Sequence, residues 1–205
     1  LIFASHFSIL LTFYFGDEMQ MMESSLVKKV SNTTESLLRQ ALWIMGYAVV
    51  TAIGAQLEIP HYPVPFTAQT FFVLCAGVFL GAQSGALSMA FYLSLGLLGL
   101  PAFAGGAFGF AKLLGPTGGY LLAFPVAAFV VGYLSRLRKE YWWMLLTMTV
   151  GLLIVFSFGT LQLNFVYFHN WASAIASGFL IFSWWDALKL IAATSIAYYY
   201  FNKVK

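Results

Sequence analysis

The charged residues of this chain sit at the margins of long apolar runs, and that arrangement decides which folds are open to it. The runs are Leu37–Leu57, Phe66–Leu80, Gly85–Leu98, Tyr120–Leu134, Tyr141–Phe168 and Trp184–Phe201. A helix that crosses a bilayer needs about 20 mostly apolar residues. The first and fifth runs reach that length. The second and third are shorter and are parted by Gln83-Ser84, which reads as a tight turn. The chain is 61% hydrophobic and 8% charged, whereas a soluble domain is about a quarter charged. A chain of roughly 200 residues cannot hide this much apolar surface in one core. The expectation is an all-α integral membrane protein with six transmembrane helices.

Loop charges give the orientation. Lys28, Lys29 and Arg39 precede the first span, Arg136, Arg138 and Lys139 join the fourth to the fifth, and Lys203 and Lys205 end the chain. In a six-span arrangement these places share one side, and the other side holds only Lys112 together with Glu58. The positive-inside rule then makes both N and C termini cytoplasmic. The net charge of +3 is modest and belongs to this pattern, so the expected surroundings are a lipid bilayer and no nucleic acid. The single cysteine, Cys75, excludes an internal disulfide and a thiolate metal cluster, and reads as a small core residue.

Residues 1–35 are set apart from a membrane domain spanning 36–205. Leu1–Phe15 is apolar but short for a span, lacks a basic leader region and a clear cleavage site, and is stopped by Asp17-Glu18. Met19, Met21 and Met22 cluster ahead of the charged, Ser/Thr-rich Glu23–Glu35, so the native start is expected near those methionines. An interfacial helix is the alternative.

Asp186 and Lys189 break the charge pattern. They lie inside the last apolar run, where each charge costs roughly 2.5–3.5 kcal/mol near the bilayer centre. Three residues apart on a helix, they share a face and can pair or jointly grip a polar ligand. The alternative is a self-neutralising pair that fixes helix packing.

Two loops on the outer side carry further signals. Leu57–Thr67 holds three of the six prolines, which makes it stiff and extended, a plausible lid beside a cavity. Gly99–Phe110 alternates glycine with aromatic residues, as expected where backbone approaches a flat ligand closely. After it, Gly115-Pro116-Thr117-Gly118-Gly119-Tyr120 opens the fourth span with Thr117 as a good N-cap, and the free N–H groups of that helix start suit a carboxylate.

These segments resemble the BioY family. The resemblance rests on Pro63-Val64-Pro65-Phe66-Thr67-Ala68-Gln69-Thr70 with Leu80-Gly81 and Gly85-Ala86-Leu87-Ser88 after it. It rests equally on Gly99-Leu100-Pro101-Ala102-Phe103-Ala104-Gly105-Gly106, on Leu114-Gly115-Pro116-Thr117-Gly118-Gly119-Tyr120 with Phe124-Pro125, and on Asp186-Ala187-Leu188-Lys189. It runs from about Leu38 to Phe201 with the motifs in order. The resemblance implies a six-helix S-component fold and a high-affinity biotin-capturing subunit of an energy-coupling factor (ECF) vitamin transporter in a bacterial cytoplasmic (inner) membrane. It also implies partners, namely a transmembrane coupling protein and two cytoplasmic ATPases. It implies no cofactor and no metal, biotin being the transported ligand. In such proteins an Ala-x-x-x-Ala face of the first helix meets the coupling protein, and Ala48 and Ala52 fit that spacing. One departure is Ile181-Phe182-Ser183-Trp184-Trp185, where many members have Pro and Gly.

Biotin has a planar ureido group with two N–H donors and a carbonyl, an apolar bicycle and a carboxylate tail. Asp186 can accept from the ureido N–H groups, and Lys189 can donate to either the ureido carbonyl or the carboxylate. Gln69, Thr67, Tyr92 and Tyr120 can supply further polar contacts, with Gly118 and Gly119 at the helix start, while Phe66, Phe103 and Trp185 can wall the bicycle. An intramembrane enzyme built on Glu58 and His61, with His169 near another outer boundary, is the rival from a different class. It lacks a His-Glu-x-x-His helix, a nucleophile signature and enough ligands for a metal. An S component for another vitamin and an ATPase-independent facilitator are the remaining alternatives. The chain has no P-loop, so it does not hydrolyse ATP itself.

Overall fold

The computed structural model describes residues 2–180 and 183–203. Helix α1 runs Ile2–Gln56. A two-residue strand β1 (Glu58–Ile59) pairs antiparallel with β2 (Phe66–Thr67), Glu58 opposite Thr67 and Ile59 opposite Phe66. Then come α2 (Gln69–Leu80), α3 (Ala82–Leu97), a 3₁₀ turn at Ala104–Gly106, α4 (Phe110–Leu114) and α5 (Gly118–Leu134). Helix α6 (Tyr141–Gln162) continues into a π-helical turn at Leu163–Phe168, followed by α7 (Trp171–Gly178) and α8 (Ser183–Lys203). The chain divides into two compact units, 1–42 and 43–205.

Within the first unit the backbone is helical throughout its described length, so Asp17-Glu18 ends an apolar run without ending the helix. Neither residue is a helix breaker, and both backbone groups can stay in the helical hydrogen-bond ladder. Further along, Thr33 Oγ1 donates to Lys29 O at 2.8 Å and Ser36 Oγ to Thr33 O at 2.8 Å, so these hydroxyls are absorbed by their own helix.

In the second unit, the expected runs become helices with shifted edges. The turn between α2 and α3 is Gly81 alone, at φ +82°, and Gln83-Ser84 lies inside α3. A left-handed residue makes that corner in one step, which favours glycine. The Arg136 guanidinium also lies where a Cβ would stand, 2.2 Å away. Phe66 and Thr67 belong to the β hairpin and not to α2. The first loop is therefore extended, as its prolines require, and includes a cis Tyr62-Pro63 bond. Residues 181 and 182, part of the unusual approach to Asp186, lie outside the described residues.

Two buried clusters form the core of this unit. One gathers Met89, Tyr92, Phe103, Tyr120, Phe124 and Leu163, and the other Leu74, Val131, Met144, Met148 and Ala197. Outward faces are apolar as well. Ile53, Leu87, Phe129, Leu153 and Ile191, one from each of α1, α3, α5, α6 and α8, are all exposed. Such faces suit hydrocarbon and not water. Ser31–Gln56 and Tyr141–Phe168, with 26 and 28 residues, are each long and apolar enough to cross a membrane, while Gln69–Leu80 and Gly118–Leu134 are apolar but shorter.

Candidate functional site

The buried pair of α8 forms the floor of a cleft. Asp186 is 2% exposed, and its Oδ1 lies 2.5 Å from Lys189 Nζ. Lys189 Nζ also donates to Thr70 Oγ1 at 2.7 Å and to the Thr67 carbonyl at 2.9 Å. The Thr70 hydroxyl in turn donates to Asp186 Oδ1 at 3.0 Å. An ammonium has three protons, and each here has an acceptor. Asp186 Oδ2 is buried and has no hydrogen-bond partner among the described residues. The polar atom left open is thus an acceptor, next to a charge pair whose other members are saturated.

Above this floor lies a narrow cleft. Phe103, Leu121, Phe124, Val155 and Phe156 give it apolar walls, and Val64 and Pro65 bring the first loop over it. Lys112 and Thr117 line it too. The Lys112 ammonium has no ion pair or hydrogen bond, and Thr117 Oγ1 is buried without a partner, among the described residues. Thr117 does occupy the N-cap position of α5, but its side chain makes no capping bond, contrary to expectation.

A second polar string holds the two loops in place. Thr67 Oγ1 donates to Gln69 Oε1 at 2.9 Å, Gln69 Nε2 donates to the Tyr92 hydroxyl, and that hydroxyl donates to Ala102 O at 3.1 Å. The string links the first loop through α2 and α3 to the second loop. Gln56, at the end of α1, grips the second loop from the other side. Its Nε2 donates to Pro101 O and Phe103 O at 3.2 and 3.1 Å, and its Oε1 accepts from Gly106 N at 2.9 Å. Phe103 is then pressed onto Gly96, whose missing Cβ would stand 2.1 Å from the ring.

Of the residues expected at a site, Asp186, Lys189, Gln69, Thr67, Phe103 and Tyr120 line this one cleft. Tyr92 sits behind Gln69, fully buried. Phe66 packs against His61 in the hairpin, and Trp185 is half-buried with its Nε1 unpartnered; neither lines the cleft. Gly118 and Gly119 are close-packing positions, where a Cβ would meet Leu113 O at 1.7 Å and Phe158 O at 2.3 Å. Their backbone approaches α4 and α6, not the cavity. Tyr120 donates to Gly178 O at 2.7 Å and so ties α5 to α7.

Ala48 departs from expectation. It is 0% exposed inside the chain's own core, on the face of α1 where Ser88 Oγ donates to Ile44 O at 2.8 Å. Small residues at four-residue spacing serve close packing here, and the partner is the chain's own α3. Ala52 alone of the two reaches the surface in part. His61 is taken up by its loop, with Nδ1 3.3 Å from Val64 O.

Sequence reasoning missed Thr70, Thr117 as a lining residue, Lys112, and the contribution of α6 through Val155 and Phe156. A hydroxyl one residue after Gln69 in a recognised motif was the available signal for Thr70.

Comparison with known proteins gives one consistent family. The biotin transporter BioY of Thermotoga maritima is 41% identical over 160 residues, which cover 78% of this chain and 94% of that protein. A probable biotin transporter BioY of Pyrococcus horikoshii is 43% identical over 152 residues, 74% of this chain and 89% of that protein. Among solved structures, an S-component for biotin from an ECF-type ABC transporter superposes with a TM-score of 0.74 at 27% identity, covering 80% of this chain and 91% of the other. The sequence profile of the BioY family matches residues 22–205, and the chain belongs to that family.

Proposed function

We propose that this chain is the biotin-capturing subunit of an ECF-type vitamin transporter, a transport protein and not an enzyme. The observation that carries the reading is the unpartnered Asp186 Oδ2 at the floor of an apolar cleft. A ureido N–H is the donor it needs. The bicycle then lies between Phe103, Phe124 and Phe156, and the valerate carboxylate reaches the Lys112 ammonium and the Thr117 hydroxyl toward the mouth. In this pose Lys189 holds Asp186 in place and has no proton of its own left for the ligand. Gln69, Thr67 and Tyr92 serve by holding the two loops that close over the bicycle. No cofactor or metal enters the reading.

The six spans of the proposal are α1, α2, α3, α5, α6 and α8, with residues 36–205 as the membrane domain and both termini on the cytoplasmic side of an inner membrane. The helices α2 and α3 are short for spans and are flanked by extended loops, of which Val64, Ala102, Phe103 and Ala104 are buried. A coupling protein and two ATPases supply the energy, since the chain has no nucleotide-binding loop of its own. Of the two alanines, only Ala52 remains for the coupling protein, because Ala48 is covered.

Calorimetric titration of the purified protein in detergent with biotin, thiamin and riboflavin tests the reading. Binding of biotin alone supports it. A folded protein that binds thiamin or riboflavin in preference to biotin contradicts it.

A further inference from the structure

The floor of the cleft is assembled from three segments: the Thr67 carbonyl of β2, Thr70 in the first turn of α2, and the pair on α8. Thr70 is the junction. Its one hydroxyl accepts from Lys189 at 2.7 Å and donates to Asp186 Oδ1 at 3.0 Å. The other protons of Lys189 go to Oδ1 at 2.5 Å and to Thr67 O at 2.9 Å. Oδ1 therefore receives two donors, the ammonium is spent, and Oδ2 of this cleft-lining carboxylate is buried without a hydrogen-bond partner among the described residues.

The geometry points to Thr70 as a positioning residue that makes the floor of the cleft read hydrogen-bond donors alone. Without its hydroxyl, Lys189 regains a free N–H beside the cleft and Oδ1 loses one of its two partners. The floor then offers a donor as well as an acceptor, and the freed N–H turns an electropositive group toward the ligand while Lys189 stays paired with Asp186 Oδ1. With Thr70 in place, the ligand class is a ring N–H donor, and whatever lies across that ring from Asp186 is not read by the lysine. A cyclic guanidinium satisfies such a floor as well as a cyclic urea does. This inference rests on the reading of the cleft as a biotin site.

The test compares two ligands: biotin, and its cyclic guanidinium analogue in which =NH₂⁺ replaces the ureido oxygen. Both are titrated into the full chain in detergent. The unaltered protein is expected to bind the guanidinium at least as tightly as biotin. Thr70→Val should weaken biotin about 10- to 100-fold, the scale of one hydrogen bond to a charged group, and the guanidinium by roughly a further 10-fold. Thr70→Ser keeps the hydroxyl and should restore both affinities to within about threefold. Thr70→Ala is measured beside the valine variant, so that the comparison survives if valine prevents folding. Equal losses for the two ligands would make Thr70 a packing residue and overturn the inference. Unaltered protein that binds biotin but rejects the guanidinium also overturns it, while leaving the biotin reading intact. Folded, unaltered protein that binds neither ligand removes the biotin reading, and the role of Thr70 falls with it.

Discussion

A carboxylate buried beside a lysine is an expensive arrangement. Removing two charges from water costs several kcal/mol per ion, and close pairing returns that only when the remaining lone pairs and protons are satisfied. In this chain they are satisfied with one exception, Asp186 Oδ2, and the exception is where a ligand gains most. The same cleft is lined by Lys112, a cation with no counter-ion among the described residues. Lys112→Ala is expected to weaken biotin about 10-fold, yet to leave the affinity for biotinol, with an alcohol in place of the carboxylate, unchanged. Equal losses for the two would show that Lys112 shapes the mouth of the cleft without meeting the carboxylate. The pair Asp186 and Lys189 is legible in sequence because charge inside an apolar run costs enough to demand a reason. Lys112 is not, because on the chain it counts only as one loop charge, and its position in the cleft depends on how α4 is folded back. Thr70 is hidden for a similar reason: a threonine in the first turn of a helix is commonplace until a lysine from 119 residues away is found donating to it.

At the level of elements, the cleft depends on helices held close by small residues. Tyr120 lies flat against Gly159 of α6, where a Cβ would stand 2.3 Å from the ring, and its hydroxyl reaches Gly178 of α7. Gly159→Ala is expected to push the ring away, break the bond to Gly178 O and cost about 1–3 kcal/mol, as overpacking usually does. A lowered melting temperature in detergent together with weaker biotin binding is the expected result. An unchanged melting temperature would mean that α5 and α6 separate freely. The long runs were readable because a membrane helix is marked by composition over many residues. The places where sequence reasoning slipped are local. Gly81 makes a one-residue corner where Gln83-Ser84 looked more polar, and Asp17-Glu18 interrupts hydrophobicity but not the helix. The helices α4 and α7 have five and eight residues, too few to leave a periodic signature. Ala48 shows the limit of spacing as evidence. Two alanines four apart permit close approach by any helix, and only the fold says that for Ala48 the neighbour is internal.

For the whole molecule, two kinds of surface have to be reconciled. Much of the outward face of the second unit is apolar and suited to lipid, while Asp186 and Lys189 line one cleft beside the two loops. Gln56 and the Thr67–Gln69–Tyr92 string fasten those loops to three different helices. Loops ordered by the chain's own hydrogen bonds leave less to be ordered by a ligand. The basic residues Arg136, Arg138 and Lys139 gather at the far ends of α5 and α6, away from the cleft lining. The most direct measurement of the central claim is an experimental structure of the full chain with biotin bound. The account predicts a ureido nitrogen within hydrogen-bonding distance of Asp186 Oδ2, Lys189 still engaged with Thr70 and Thr67, and the carboxylate beside Lys112. Biotin bound with its carboxylate against Lys189, or outside this cleft altogether, would contradict it.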